Sequence, residues 1–126
     1  MSFKLKNMFK SKTAAKATDE AANEEQAVIL TIPLSNSKNF GSKDQQKAIY
    51  ALEDEIEKLI PLEAEVDGHE FGDGECIIYL YGQSADVIFD AIRATLQKSK
   101  FSDIAVVLRY GAAENKNAKE KHITIN

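Results

Sequence analysis

A cluster of glycine and aspartate lies between two strand-like segments near the middle of the chain, and it constrains the fold more than any other feature. The six residues from Cys76 to Tyr81 are rich in β-branched and aromatic side chains, which is typical of a buried strand. The preceding segment 62–67 alternates apolar and acidic residues, as an edge strand does when only one side packs inward. Between the two segments, residues 72–74 are Gly-Asp-Gly, where a positive φ costs little. The pattern predicts a β-hairpin with its turn at residues 72–74 and a bulge near Gly68.

Three further segments have the composition of strands. Residues 27–34 are almost continuously apolar, and Pro33 marks the end of that strand because proline cannot donate a hydrogen bond to the sheet. Residues 104–110 form another apolar run, and residues 121–125 alternate as a final strand. The chain therefore offers five predicted strands, of which the first and third are the most apolar.

Two segments between these strands have the periodicity of amphipathic helices. The first begins after Ser42, which is positioned to form a capping box with Gln45, and ends before Pro61. The second has Ser84 as its predicted N-cap and lysines near its C-terminal end, where positive charge is favourable. Each helix presents an apolar stripe that can pack on a sheet.

The predicted order β-α-β-β-α-β, followed by one more strand, is the pattern of the ferredoxin-like α+β fold. In that fold, two crossover helices lie on one face of an antiparallel sheet, and the first and third strands are central. The apolarity of these two strands agrees with that placement. We therefore predict the strand order 2-3-1-4-5 in a single domain over residues 27–126, preceded by a lysine-rich tail and linker over residues 1–26.

The sheet face opposite the helices is predicted to be too apolar to remain in water. If alternate strand residues pack under the helices, the other face presents Ile29, Thr31, Ile77, Tyr79, Tyr81, Val107 and Arg109. A surface of this kind normally contacts a partner. The predicted partner-binding residues are Ile77, Tyr79, Tyr81 and Arg109, together with Glu63, Glu65 and Asp67 on the neighbouring edge strand. A second copy of the chain and a different protein both remain open as the partner.

Charge is distributed unevenly along the chain, whose formal net charge is −4. Five lysines lie near its start: Lys4, Lys6, Lys10, Lys12 and Lys16. Between Glu53 and Glu75, in contrast, there are ten carboxylates and a single lysine. A domain with such an acidic segment repels the phosphates of nucleic acids and favours a cationic partner.

The first residues combine apolar side chains with lysines, and these apolar residues are Phe3, Leu5, Met8 and Phe9. A segment of this composition can rest on an anionic membrane surface. Because it offers so little apolar area, we expect a solvated tail, with membrane contact as the alternative. No apolar run approaches the length of a membrane-spanning helix, and the first nine residues lack the continuous apolar region of a signal peptide. A single cysteine favours the reducing cytoplasm as the compartment.

The titratable residues around the hairpin do not match a known catalytic or metal-binding pattern. The spacing of the carboxylates after Asp67 fails the EF-hand pattern, and one histidine and one cysteine are too few for a local zinc site. Cys76 is predicted to be a buried and unreactive thiol, because apolar surroundings raise its pKa. The chain has no nucleophile elbow, P-loop or dinucleotide-binding fingerprint. We therefore predict no catalytic residues, no metal and no cofactor.

The hairpin and the start of the following helix carry a family resemblance. Residues 67–75 have the sequence DGHEFGDGE, residues 78–82 have IYLYG, and Ala85, Asp86 and Phe89 follow. This combination resembles a group of small uncharacterised bacterial proteins over the range from Val28 to Tyr110, and the resemblance implies no activity. The size, acidity and lack of catalytic groups are also similar to those of immunity proteins, which neutralise toxins, often nucleases with basic surfaces. The prediction is a protein-binding module that inhibits a basic toxin, and the alternative is a dimeric regulatory domain that binds a small ligand at the sheet interface.

Overall fold

In the computed structural model, residues 24–34 and 41–126 are described, and they form one antiparallel sheet of five strands with two helices. The strands are β1 (Gln26–Pro33), β2 (Glu65–Gly72), β3 (Glu75–Gly82), β4 (Ile104–Arg109) and β5 (Glu120–Ile125). The helices are α1 (Lys43–Leu59) and α2 (Ala85–Lys98). The strand order is β2-β3-β1-β4-β5, so the predicted ferredoxin-like α+β fold and its strand order are confirmed.

Both helices begin at the predicted caps. The Ser42 hydroxyl accepts a hydrogen bond from the backbone N–H of Gln45 at 3.1 Å, and the Gln45 side chain accepts one from the backbone N–H of Ser42 at 3.1 Å. This reciprocal pair is a complete capping box, which satisfies two amide groups that the helix itself leaves without acceptors. The Ser84 hydroxyl accepts from the backbone N–H of Val87 at 3.2 Å and caps α2.

The core lies between the helices and one face of the sheet. Alternate residues of the strands meet the apolar stripes of both helices there. Ile49, Ile56, Ile88, Ile92 and Leu96 from the helices are fully buried against Val28, Leu30, Ile32, Cys76, Ile78, Leu80 and Ile104 from the strands. One alternate set of strand residues therefore packs under the helices, which leaves the other set on the opposite face of the sheet.

The central hairpin is closed by Asp73 and Gly74, with φ of 54° and 77° respectively. Two consecutive residues with positive φ twist the chain in the same sense as the flanking strands, which is why a two-residue turn of this kind joins antiparallel strands well. Aspartate tolerates this conformation and glycine adopts it freely. The predicted turn is confirmed.

The edge strand begins later than the alternation of residues 62–67 predicts. Residues 61–64 form a turn in which the N–H of Ala64 donates to the carbonyl of Pro61 at 2.9 Å, and Leu62 is 97% exposed. The proline that ends α1 forces the chain to reverse within a few residues, so β2 starts only at Glu65. The burial therefore departs from the predicted alternation, because Ala64 and Val66 are buried but Leu62 is not, and Glu65 between them is also buried.

A bulge in β2 changes which residues of the edge strand face the helices. Val66 lies opposite Leu80, but Gly68, rather than Asp67, lies opposite Tyr79. The inserted residue reverses the alternation beyond that point. As a result His69 lies on the same face as the core, and Glu70 lies on the opposite face. The bulge predicted near Gly68 is confirmed.

The predicted tail and linker fall almost entirely on residues 1–23, which lie outside the described ranges. In the part of the chain that the structure does describe, neither helix is long and apolar enough to cross a membrane.

Candidate protein-binding site

The open face, defined here as the sheet face opposite the two helices, includes three rows of side chains that run across all five strands. The first row is Glu65, Tyr81, Ala27, Arg109 and Glu120. The second row is Gly68, Tyr79, Ile29, Val107 and His122. The third row is Glu70, Ile77, Thr31, Ala105 and Thr124. All seven residues predicted to share this face lie in its rows.

The centre of the open face is apolar. Ile29 on the central strand lies between Tyr79 on one side and Val107 on the other, and all three side chains are half-buried. Neighbouring strands hold such side chains within about 5 Å of one another, so they shield each other only in part. The middle of this face therefore keeps apolar area that a partner can still remove from water.

Tyr79 joins the apolar centre to the acidic edge. Its hydroxyl donates a hydrogen bond to the Glu70 carboxylate at 3.2 Å, and Glu70 is exposed on the edge strand β2. Burial, and then the bond to Glu70, raises the pKa of Tyr79 above its ordinary value. Tyr79 therefore presents a neutral phenol ring at physiological pH, with its polar end directed toward a carboxylate.

Tyr81 lies beside three further acidic residues. Burial raises the pKa of Tyr81, and the Asp67 carboxylate adds to the increase. Glu65 is directly opposite Tyr81 on β2 and is 8% exposed. Glu25, just before β1, contributes more weakly to the same pKa increase. The predicted residues Tyr79, Tyr81, Glu65 and Asp67 are thus brought together, whereas Glu63 lies in the exposed turn before β2.

Arg109 lies in the first row, but its guanidinium organises the loop between β4 and β5. It donates to the Glu120 carboxylate at 2.7 Å and to the backbone carbonyl of Asn115 at 2.6 Å, with a longer contact to the carbonyl of Ala112 at 3.3 Å. The hydrogen bond from Arg109 is the main cause that lowers the pKa of Glu120. His122 contacts the same carboxylate at 3.1 Å. Arg109 and His122, at this side of the open face, therefore already contact a carboxylate of the same chain.

Glu70 is a site residue that the sequence prediction omitted. The alternation of Glu63, Glu65 and Asp67 leads to His69 as the next residue of that set, and only the bulge puts Glu70 there instead. The signal that identifies Glu70 is Gly68, because a glycine inside an edge strand marks a bulge. Counting the alternation afresh after Gly68 places Glu70 beside the tyrosines.

The same bulge creates a second polar contact, on the core face of the edge strand. The Nδ1 atom of His69 is 2.7 Å from a carboxylate oxygen of Glu53 on α1. The rings of Tyr50 and Phe71 lie 5.4 Å and 5.2 Å from the His69 ring, centre to centre. Burial raises the pKa of Glu53, although the hydrogen bond from His69 acts in the opposite direction. This contact links α1 to β2 and is packed within the domain.

Cys76 and the acidic residues of the hairpin offer little chemistry. Cys76 is fully buried, and burial, with a smaller effect from Glu53, raises the pKa of its thiol to about 12. A thiol in that state is a poor nucleophile and a poor metal ligand at neutral pH. Within residues 24–34 and 41–126, no three histidine, cysteine or carboxylate side chains are grouped so that they could hold a metal ion.

Comparisons with models of protein families, with curated proteins and with solved structures find no match to this chain. The resemblance to small bacterial proteins therefore stays a prediction, and the function has to be argued from the geometry of the open face.

Proposed function

We propose that this chain is a non-enzymatic protein-binding module that binds a cationic protein on its open face, as an immunity-type inhibitor of a basic toxin would. One observation carries the proposal: two half-buried tyrosines, Tyr79 and Tyr81, lie between an apolar centre and an edge of carboxylates. That combination suits a partner surface on which positive side chains surround an apolar patch.

The parts of the open face have different roles in this proposal. The apolar centre around Ile29 provides the area that is removed from water, which is the main source of affinity. The tyrosines are the anchors, because aromatic residues with one polar end contribute most per residue at protein interfaces. The edge carboxylates, with exposed Glu70 foremost, steer a basic partner into place and make association sensitive to salt.

Charge favours a cationic partner over a second copy of this chain. The open face carries Glu65 and Glu70 at one edge and Glu120 at the other. Its Arg109 and His122 both contact Glu120, so they are not left to pair with carboxylates of another copy. Two such faces stacked on each other would bring acidic groups together in a region of reduced dielectric, which is costly.

The partner is first captured on this chain from lysate of the native organism and eluted by salt. The proposal is then tested by measuring how tightly that partner binds the variants Tyr79→Ala and Glu70→Lys of this chain. We expect Tyr79→Ala to weaken binding about tenfold or more, because an aromatic anchor at an interface contributes upwards of about 1.4 kcal/mol. Glu70→Lys should weaken binding mainly at low salt and reduce the slope of affinity against salt. Titration calorimetry at low and high salt measures both effects.

Matched controls are available on the helix side of the domain. Tyr50 is 48% exposed on α1, and Glu55 is exposed on the same helix, so Tyr50→Ala and Glu55→Lys change the same residue types away from the open face. Both controls should leave the affinity for the partner unchanged. The proposal is wrong if the open-face variants bind as tightly as the original chain, or if affinity does not depend on salt.

A further inference from the structure

We propose that the lysine-rich N-terminal segment of this chain, residues 1–12, occupies the open face when no partner is bound. The segment would then be an internal competitor for the cationic protein. The competition rests on the proposed function, but the docking itself does not, and the two are tested separately below. Residues 1–12 lie outside the described residues, so the inference comes from their sequence and from the face that the structure describes.

The segment has the chemistry that the open face requires. Residues 3–6 are Phe-Lys-Leu-Lys, in which apolar and cationic side chains alternate, and Met8, Phe9, Lys10 and Lys12 follow. The open face offers an apolar centre around Ile29 and carboxylates at its edge. Apolar groups of the segment match the centre, and its ammonium groups match Glu70 and Asp67. This pairing uses both properties of the face at once.

The chain enters the sheet through the central strand β1, at the first-row end of this same face. Glu25 immediately precedes β1 and is close enough to Tyr81 to contribute to the increase of its pKa. The entry point is fixed on both sides. The backbone N–H of Ala85 donates to the Gln26 side chain at 2.8 Å, and Asn115 donates to the Glu24 carboxylate at 3.2 Å. The N-terminal segment is therefore tethered near Tyr81, two strands away from the acidic edge strand β2.

The connecting residues are long enough for the segment to reach any part of the face. Residues 13–25 span up to roughly 40 Å when extended, at about 3.3 Å for each residue. Five strands spaced about 4.8 Å apart make a face only roughly 20 Å across. A tether of this length also holds the segment at an effective concentration on the order of millimolar, so even weak intrinsic affinity fills the face.

Two other occupants fit the charges less well. A second copy would set acidic edges against each other, as argued above. An anionic membrane would attract the lysines but repel the carboxylates of the domain to which they are tethered. Docking within one chain satisfies both sets of charges, and the test distinguishes the three.

The docking is tested by paramagnetic broadening in the chain of 126 residues. Ser11→Cys introduces a thiol beside the lysines, and a nitroxide reagent labels it selectively because Cys76 is fully buried with a pKa of about 12. Amide signals of Ile29, Ile77 and Val107 should broaden strongly. Those of Tyr50 and Val87, which are exposed on the helices, should change little. High salt should reduce the broadening, because the contact is partly electrostatic.

Charge reversal on either side should remove the effect. We expect Lys4→Glu with Lys6→Glu, and separately Glu70→Lys, to abolish most of the broadening at the open face. Glu55→Lys, on the exposed side of α1, is the matched control and should preserve it. The docking is overturned if the amide signals of the open face are not broadened in the chain without charge reversal, or if the broadening is strongest for residues of the helices.

Mixing experiments identify the occupant. Spin-labelled chain at natural isotope abundance is mixed with ¹⁵N-labelled chain that carries no spin label. Broadening in that mixture, growing with concentration, would assign the face to a second copy and overturn the proposal. Vesicles with anionic lipid should leave the broadening within one chain unchanged, and its loss on their addition would assign the segment to the membrane instead.

The competition has its own readout. If the segment fills the face about nine-tenths of the time, Lys4→Glu with Lys6→Glu should raise the affinity for the cationic partner about tenfold. If the segment docks but the two substitutions do not raise the affinity for the partner, the partner binds elsewhere and the competition is overturned. If partner binding depends on Tyr79 and Glu70 but the chain shows no paramagnetic broadening, the proposed function remains and only the docking is overturned.

Discussion

The two faces of the sheet are built from the same strands yet differ in what covers them. On β3, Ile78 faces the helices and is fully buried, whereas its neighbour Ile77 faces the other way and is half-buried. The difference is imposed by the alternation of a strand, which sends successive side chains to opposite faces. The same residue type, one position apart, is therefore part of the core in one case and part of an open surface in the other.

This difference separates stability from recognition. A side chain such as Ile78, fully removed from water by folding, contributes about 1.5–3 kcal/mol to stability. Ile77 and Val107 gain only part of that on folding, and under the proposed function the remainder becomes available when a partner covers them.

The largest effect is expected from truncating the two neighbouring isoleucines of β3. Ile78→Ala should reduce the free energy of unfolding by about 2–5 kcal/mol, because it leaves a cavity that the surrounding core fills only in part. Ile77→Ala should cost about 1 kcal/mol, because the lost side chain was only half-buried. Urea unfolding followed by circular dichroism gives both values from the shift of the midpoint.

The same pair then tests the open face in binding. Ile77→Ala should weaken the binding of the cationic partner or of the internal N-terminal segment. Ile78→Ala should leave that binding unchanged when it is measured under conditions in which the variant is folded. Equal losses of stability for the two variants would mean that the open face is covered in solution, and would contradict the comparison.

A smaller effect is expected at two glycines at the ends of the hairpin strands. Gly82 continues the core-facing set of β3, and a Cβ there would lie 2.9 Å from the Cβ of Ala64 and 3.0 Å from Cδ1 of Ile88. Gly82→Ala should destabilise the domain by about 1–3 kcal/mol, as overpacking of a close-packed core does. Gly72 belongs to the open face, and a Cβ added there would meet nothing within 4 Å.

Gly72→Ala is therefore the matched control, with an expected change within about 0.5 kcal/mol. Thermal unfolding of the two variants measures the difference. If Gly72→Ala were as damaging as Gly82→Ala, the open face would be more crowded than its described residues indicate.

Much of this fold was predictable from the sequence because its decisive signals are local. The capping box at Ser42 and the turn at Asp73 and Gly74 are each encoded within four residues. The placement of β1 and β3 at the centre follows from their apolarity, which is also a property of each segment alone. The seven residues of the open face then follow from period-two alternation in strands whose order is known.

The remaining features depend on contacts between distant residues. Arg109 lies on the open face as predicted, and its binding to a partner stays a prediction, but the sequence did not indicate that the loop following β4 folds back and accepts hydrogen bonds from its guanidinium. The pairing of Glu53 with His69 joins residues 16 positions apart and exists only because the bulge turns His69 toward α1. No local pattern contains either contact, so only the folded chain could reveal them.

The smallest effect is expected from this partly buried pair, which lies where the core face meets the acidic edge strand. Burial raises the pKa of Glu53, so the folded chain binds the proton more tightly than the unfolded chain does. The stability that Glu53 contributes is therefore fully present below its ordinary pKa of 4.5 and is lost as pH rises through the elevated value. Glu53→Gln removes this titration and retains a side chain of the same shape.

We expect the stability of Glu53→Gln, relative to the original chain, to increase as pH rises from below 4.5 through the elevated pKa of Glu53. Urea midpoints measured at several pH values across that range test the direction. Glu55→Gln, exposed on the same helix, is the control and should show a flatter difference. A relative stability of Glu53→Gln that falls with pH would mean that the ionised carboxylate beside His69 stabilises the fold. Stabilising polar contacts on the core face would then lie closer to the acidic edge strand than the burial of Glu53 alone indicates.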